Sequence, residues 1–173
     1  MVEGFTYHPG FLTTDEASAL LATVAALPFR TDKFRGVTMK RTIVCYGSDY
    51  ISASRSARNP APLIPPFLAP VRDRAAAVAH VEAESLMQAI IWRFPPKFGI
   101  DWHIDNLAFG PVVCGVSLGA PAVMHLERAG NKVRQLVESG SLYMLRDEAR
   151  YDWKHKVDGN RGERFSITFR SMR

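Results

Sequence analysis

Polar and apolar positions change their period along this chain. In TTDEASALLATVAALP, residues 13–28, the apolar Ala17, Leu20, Leu21, Val24 and Leu27 recur at three- and four-residue spacing, which places them on one face of a helix. Thr13 is the expected N-cap, Glu16 its capping-box partner three positions on, and Pro28 the stop. KRTIVCYG then reads as a strand. NPAPLIPPFLAP, residues 59–70, is too rich in proline for regular structure through most of its length, and reads as an ordered connector. From Leu68 to Glu82 alanines and valines return at helical spacing, predicting a second helix with Pro70 in its first turn.

After Ser85 the period shortens. MQAIIWRF, DWHID, VVCGVSLG, AVMHLER, VRQLVE, SLYMLR and RFSITFR are short runs rich in β-formers. Gly99, Gly110, Gly119, Gly140 and Gly159 mark breaks, and ERAGNKVR predicts a hairpin with Gly130 and Asn131 at its tip. Helices first and many strands later predict an α+β fold whose main body is an antiparallel double sheet.

Composition narrows this to a single domain over residues 1–173, since 173 residues with 47% hydrophobic and 23% charged side chains suit one globular core. No run of eighteen apolar residues and no secretory leader pattern is present, so a cytoplasmic chain without a membrane span is expected. Cys45 and Cys114 lie far apart outside any metal-binding spacing, and are expected as buried free thiols.

Charge changes the picture more. The net charge of +5 lies wholly within residues 29–60, where Arg30, Lys33, Arg35, Lys40, Arg41, Arg55 and Arg58 oppose only Asp32 and Asp49. Phe29, Phe34, Tyr46 and Tyr50 share the segment. Cations for phosphates beside rings for bases suit a nucleic acid, and an ordinary solvated basic face fits the same composition.

Candidate chemistry is concentrated in three places. In DWHIDN, His103 and Asp105 share one strand face, with Trp102 and Ile104 on the other, so a metal fits between the first pair. Taken alone, this spacing also describes a solvated surface strand. RYDWKHKV offers His155 as a third ligand, and two histidines with one carboxylate form a facial triad suited to ferrous iron with a chelating cosubstrate and dioxygen. In RFSITFR, Arg164, Ser166, Thr168 and Arg170 share a face opposite Phe165, Ile167 and Phe169. Guanidiniums are strong carboxylate binders, so a keto acid with a distal carboxylate, namely 2-oxoglutarate, suits iron at one end and arginine at the other.

With His103, Asp105, His155 and RFSITFR in this order, and with QAIIWRFPP, VVCGVSLG, GSLYML and KRTIVCYGSDY, the chain resembles the AlkB-like iron(II) and 2-oxoglutarate dependent dioxygenases from about residue 38 to its end. The resemblance implies a double-stranded β-helix, or jelly roll, over residues 85–173, with N-terminal helices and the basic segment 29–60 as a nucleotide-recognition lid. It implies Fe(II) on His103, Asp105 and His155, the distal carboxylate of 2-oxoglutarate on Arg164, and Arg170 nearer the metal-bound end. Ser166 and Thr168 would join that pocket, as would Tyr143. The implied reaction consumes O2 and 2-oxoglutarate, releases succinate and CO2, and hydroxylates an N-alkyl carbon that leaves as formaldehyde. A flipped or single-stranded nucleotide of DNA or RNA is the implied partner of a monomeric chain. Lys40, Arg41, Tyr46, Tyr50, Trp102 and Leu107 are its candidate contacts.

Three positions depart from the family pattern. Trp92 and Phe94 stand where several members carry an Asn and a Tyr that help hold 2-oxoglutarate, and Leu107 stands where repair members often carry an acidic residue that reads the base. Base preference is therefore open. The same oxygenase chemistry on a protein or small molecule is one competing function, a non-catalytic nucleic-acid or protein binding module another, and a zinc hydrolase a third. A complete iron and diacid site argues against the last two. His8, His80 and His125 lack partners at ligand spacing and read as structural or exposed, while Trp153 is expected to pack beside His155.

Overall fold

The computed structural model describes residues 2–34, 36–51, 54 and 56–172; Arg35 and Arg55 of the basic segment lie outside the described residues, as does the side chain of Arg58. In chain order the elements are β1 (Phe5–His8), α1 (Thr14–Ala25), β2 (Arg30–Phe34), β3 (Val37–Tyr46), β4 (Asp49–Ile51) and β5 (Ser56–Asn59). They continue with α2 (Ala69–Ala79), β6 (Gln88–Phe94), β7 (Ile100–His103), β8 (Phe109–Gly119), β9 (Ala122–Arg128) and β10 (Asn131–Val137). β11 (Leu142–Leu145), α3 (Asp147–Tyr151), β12 (Lys154–Val157) and β13 (Arg164–Met172) complete the chain.

Two antiparallel sheets form the body. The larger runs β1-β11-β8-β13-β6-β3-β2 and the smaller β10-β9-β12-β7, while β4 and β5 pair only with each other among the described residues. This is the double-sheet architecture of a jelly roll. The large sheet crosses the expected boundary at residue 85, because β1 pairs with β11 and β3 with β6. Much of segment 29–60 is thus built into the body, and only β4–β5 stands apart from both sheets.

α1 and α2 cover the outer face of the large sheet. Leu20 and Val24 of α1, Val71, Ala75 and Ala79 of α2, and Phe165, Ile167 and Phe169 of β13 belong to one buried cluster. A second cluster, including Val113, Met124, Leu126, Tyr143 and Trp153, lies between the sheets. β13 is consequently buried on both faces, and Arg164 and Arg170 are enclosed, at 3% and 6% exposure, instead of facing solvent.

Local details follow from side-chain chemistry. Thr13 and Glu16 form the reciprocal cap of α1, with Glu16 N donating to Thr13 Oγ1 at 3.2 Å and Thr13 N to Glu16 Oε2 at 2.8 Å. α2 carries Pro70 in its first turn, and ends earlier than expected because His80 turns left-handed at φ +52°. The β9–β10 turn is one residue off the expected tip. Arg128 pairs with Asn131, so the two-residue loop is Ala129–Gly130, with φ of +47° and +83°, the positive pair that a type I′ turn requires. Gly110 lies within β8 instead of ending a strand: a Cβ there would stand 2.3 Å from Ser171 Oγ, so glycine permits a close approach.

Candidate metal centre and cosubstrate pocket

The antiparallel ladder between β12 and β7 places His155 directly opposite His103, with ring centroids 4.2 Å apart. Asp105 follows the end of β7, which stops at His103 instead of continuing to 105. One ligand atom from each of the three residues lies within 4.8 Å of the others, and His155 Nε2 stands 4.0 Å from Asp105 Oδ2. His103 Nδ1–H donates to the Asp101 carbonyl at 2.7 Å, which fixes the tautomer that leaves Nε2 as ligand.

Electrostatics favour a cation among them. Burial pushes His103 down and His155 down to about 3, so both imidazoles are neutral and free to coordinate. Burial opposes ionisation of Asp105, yet the guanidiniums of Arg170 and Arg150 outweigh it and hold its carboxyl well below the usual carboxylate range. Two neutral imidazoles and one carboxylate on one side of a site match ferrous iron with open positions.

The buried polar groups beside this centre suit a diacid. Arg164 Nη2 and Arg170 Nε are buried without hydrogen-bond partners among the described residues, donors that a carboxylate would satisfy. Arg164 is held by Nε donating to Ser117 Oγ at 3.1 Å, and its guanidinium lies 5.4 Å from the Phe94 ring centroid. Buried Tyr143 faces Arg164 and Ser166, and burial raises its phenol pKa, so the hydroxyl stays protonated as a donor. Its ring fills the space over Gly115, where a Cβ would stand 2.1 Å from Cζ. Thr168 orients Arg170: its Oγ1 accepts from Nη1 at 2.8 Å and donates to the Ile90 carbonyl at 3.1 Å. Arg170 Nη2 then lies 3.4 Å from Asp105 Oδ1 and ties this pocket to the metal ligands.

Trp92 and Phe94 have a visible use. Trp92 is opposite Ser166 and Phe94 opposite Arg164 in the β6–β13 ladder, and the Arg41 guanidinium lies 4.7 Å from the Trp92 ring centroid. Each of these two rings carries an arginine, Trp92 that of Arg41 and Phe94 that of Arg164.

A cavity of about 230 Å³ opens over the centre, walled by His103, Asp105 and Arg170 and by Arg41, Tyr50, Trp92, Trp102 and Phe109. Arg41, Tyr50 and Trp102 of the expected substrate contacts thus meet there. Lys40, Tyr46 and Leu107 do not: strand alternation sends Lys40 outward, Tyr46 packs against the helical layer, and Leu107 is 59% exposed in a loop. Met39, Ile90, Ile100, Ile104 and Phe109 are walls that the sequence reading missed. Met39 was open to detection, since it precedes Arg41 by two on the same strand face. His125 is a structural side chain, with Nε2 2.6 Å from Asp158 Oδ2.

The comparison that decides the family is a match between residues 4–170 and the model of the 2OG-Fe(II) oxygenase superfamily. The chain belongs to this superfamily. Within it the chain is similar to AlkB homologues. It is 32% identical over 115 residues to the alpha-ketoglutarate-dependent dioxygenase alkB homolog 7, mitochondrial, of Bos taurus, covering 57% of this chain and 52% of that protein. It is 25% identical over 208 residues to an alkylated DNA repair protein ALKBH8 homolog of Arabidopsis thaliana, covering 99% of this chain and 59% of that protein. The chain therefore spans a little over half the length of these relatives. The solved structure of OsALKBH1 superimposes with a TM-score of 0.77 over 99% of both chains at 16% identity, which shows the shared fold. The superfamily's cofactor set is Fe(II), 2-oxoglutarate and O2, its enzymes are dioxygenases, and the His-Asp-His cluster with the enclosed arginines fits that set.

Proposed function

We propose that this chain is an Fe(II)/2-oxoglutarate dependent dioxygenase that removes N-alkyl groups from bases in single-stranded or flipped-out nucleotides, acting as a cytoplasmic monomer. The observation that carries this reading is the cavity itself. A guanidinium, Arg41, and the rings of Tyr50, Trp92, Trp102 and Phe109 border the metal ligands, so a base meets stacking surfaces within reach of the centre. Residues 1–173 act as one domain, with the two sheets, β1 to β3 included, as the catalytic core and β4–β5 as the lid-like part. No helix among the described residues is long and apolar enough to cross a membrane.

His103, Asp105 and His155 would hold the iron, Arg164 and Tyr143 the distal carboxylate of 2-oxoglutarate, and Arg170 the charge near Asp105. When bound, iron and 2-oxoglutarate supply the oxidant, with succinate and CO2 as products and one oxygen atom delivered to the alkyl carbon, which leaves as formaldehyde. The protein's own contribution is positional. Thr168 fixes Arg170, Ser117 and Phe94 fix Arg164, and the apolar walls exclude water from the reacting carbon.

The same chemistry on a protein side chain or small molecule is the second reading, favoured by the largely apolar wall that includes Phe34, Met39, Ile90 and Ile100. Mass spectrometry of single-stranded oligonucleotides carrying 1-methyladenine or 3-methylcytosine separates the two. Methyl loss that requires 2-oxoglutarate and fails in His103→Ala is the expected result. Succinate without methyl loss moves the substrate to the second class, and a folded, active His103→Ala or Asp105→Ala variant overturns the metal assignment.

A further inference from the structure

Arg150 is a large side chain wholly withdrawn from solvent, and nothing in the proposed reaction uses it. It projects from α3, which ends three residues before β12 begins and so delivers His155 to the centre. Its guanidinium donates to four backbone carbonyls, two in the loop after β7 and two in the first residues of β8. Nη1 reaches Asp105 O at 3.2 Å, Nη2 reaches Asn106 O at 2.7 Å and Phe109 O at 3.2 Å, and Nε reaches Gly110 O at 3.3 Å.

The three metal ligands differ in how the backbone holds them. His103 and His155 face one another across a strand ladder, which fixes their separation. Asp105 lies beyond the end of β7 and before the start of β8, in a stretch with no ladder of its own. Its carboxylate is steered by Arg170 Nη2 at 3.4 Å, but a side-chain contact does not fix the main chain that carries it. Arg150 does so with several donors on a planar fork, and a guanidinium is suited to this because all its donors point outward in fixed directions.

We propose that Arg150 is a positioning residue of the metal centre: it clamps the loop at Asp105 and Asn106, together with the start of β8, to α3 and thereby sets Asp105 at its working distance from His155. The proposal rests on the metal-centre reading. It assigns Arg150 no contact with substrate or cosubstrate.

Cobalt(II) titration of the purified, metal-free chain, followed by visible absorption, tests it. Arg150→Met is expected to bind cobalt about 10- to 100-fold more weakly than wild type at a temperature where its far-ultraviolet circular dichroism remains native, the range found when partners of ligands are removed. Arg150→Lys, which keeps the charge but loses the fork, should recover part of the loss and carries the test if the Met variant does not fold. In an Asp105→Ala background the Met substitution should cause little further weakening, because Arg150 acts through Asp105. Undiminished cobalt affinity in a folded Lys or Met variant overturns the proposal, as does an equal loss with and without Asp105, which marks a general loosening. Failure of wild type itself to bind cobalt overturns the metal-centre reading and takes this proposal with it.

Discussion

The Arg41 guanidinium stacks on Trp92 at 4.7 Å, and its Nε is buried without a hydrogen-bond partner among the described residues. Burial lowers the Arg41 pKa, opposed by the Asp32 charge, so the folded state holds this cation under strain of desolvation. A charge retained at such a place serves binding better than stability. Arg41→Met should leave stability unchanged or raise it by about 1 kcal/mol, because an apolar group of similar length fills the space without desolvation. Affinity for a methylated single-stranded oligonucleotide should fall roughly tenfold, or about 1.4 kcal/mol. Urea unfolding and fluorescence anisotropy read the two quantities; a marked loss of stability with undiminished affinity would make Arg41 a structural residue.

Arg164 presents the opposite case, a cation whose buried Nη2 has no hydrogen-bond partner among the described residues and is a donor that a carboxylate would satisfy. Removing it in Arg164→Ala should raise the 2-oxoglutarate concentration needed for half-maximal succinate release by about 30-fold, equivalent to about 2 kcal/mol for a charge-assisted contact. Oligonucleotide affinity should stay near wild type. An unchanged 2-oxoglutarate requirement would mean that the distal carboxylate lies elsewhere.

Cys45 and Cys114 are both free and buried, and burial pushes each thiol up to about 12. In the unfolded chain a thiol ionises near about 8.5. Between these values the unfolded state releases protons that the folded state keeps, so stability should fall as pH rises from about 9 towards 12, with no thiol contribution below. At pH 8 neither thiol should react with Ellman's reagent until guanidinium unfolds the chain, when both should. Rapid reaction of the native protein would show that one thiol is accessible.

How much of this was legible in the sequence depends on where the physical signal resides. The α1 cap was readable because Thr13 and Glu16 act locally, and the two faces of β13 because strand alternation is a property of the backbone. β12 was not readable as a strand: KHKV carries two lysines, and its strand character comes from the partners β9 and β7. β1, FTYH, likewise becomes a strand through pairing with β11, which is 134 residues or more away in sequence. His155 was found through ligand chemistry without its strand. Arg150 was missed altogether, since a lone arginine in DEARY gives no sign that four distant carbonyls converge on it.

Gly115 separates steric from conformational roles of glycine. It lies in β8 opposite Tyr143, and a Cβ there would stand 2.1 Å from that ring's Cζ. Tyr143 is enclosed between the sheets at 7% exposure, so the ring has little room to yield. Gly115→Ala should therefore lose about 1–3 kcal/mol of stability through overpacking. Displacing the hydroxyl from Arg164 and Ser166 should also raise the 2-oxoglutarate requirement. Gly130→Ala is the contrasting variant: its Cβ meets nothing within 4 Å, but φ is +83°. It should lose about 1 kcal/mol from the left-handed backbone alone and leave the 2-oxoglutarate requirement untouched. Thermal melting and succinate kinetics on the two variants read both effects. Equal 2-oxoglutarate requirements in both would remove Tyr143 from the cosubstrate pocket, because only Gly115→Ala moves its ring.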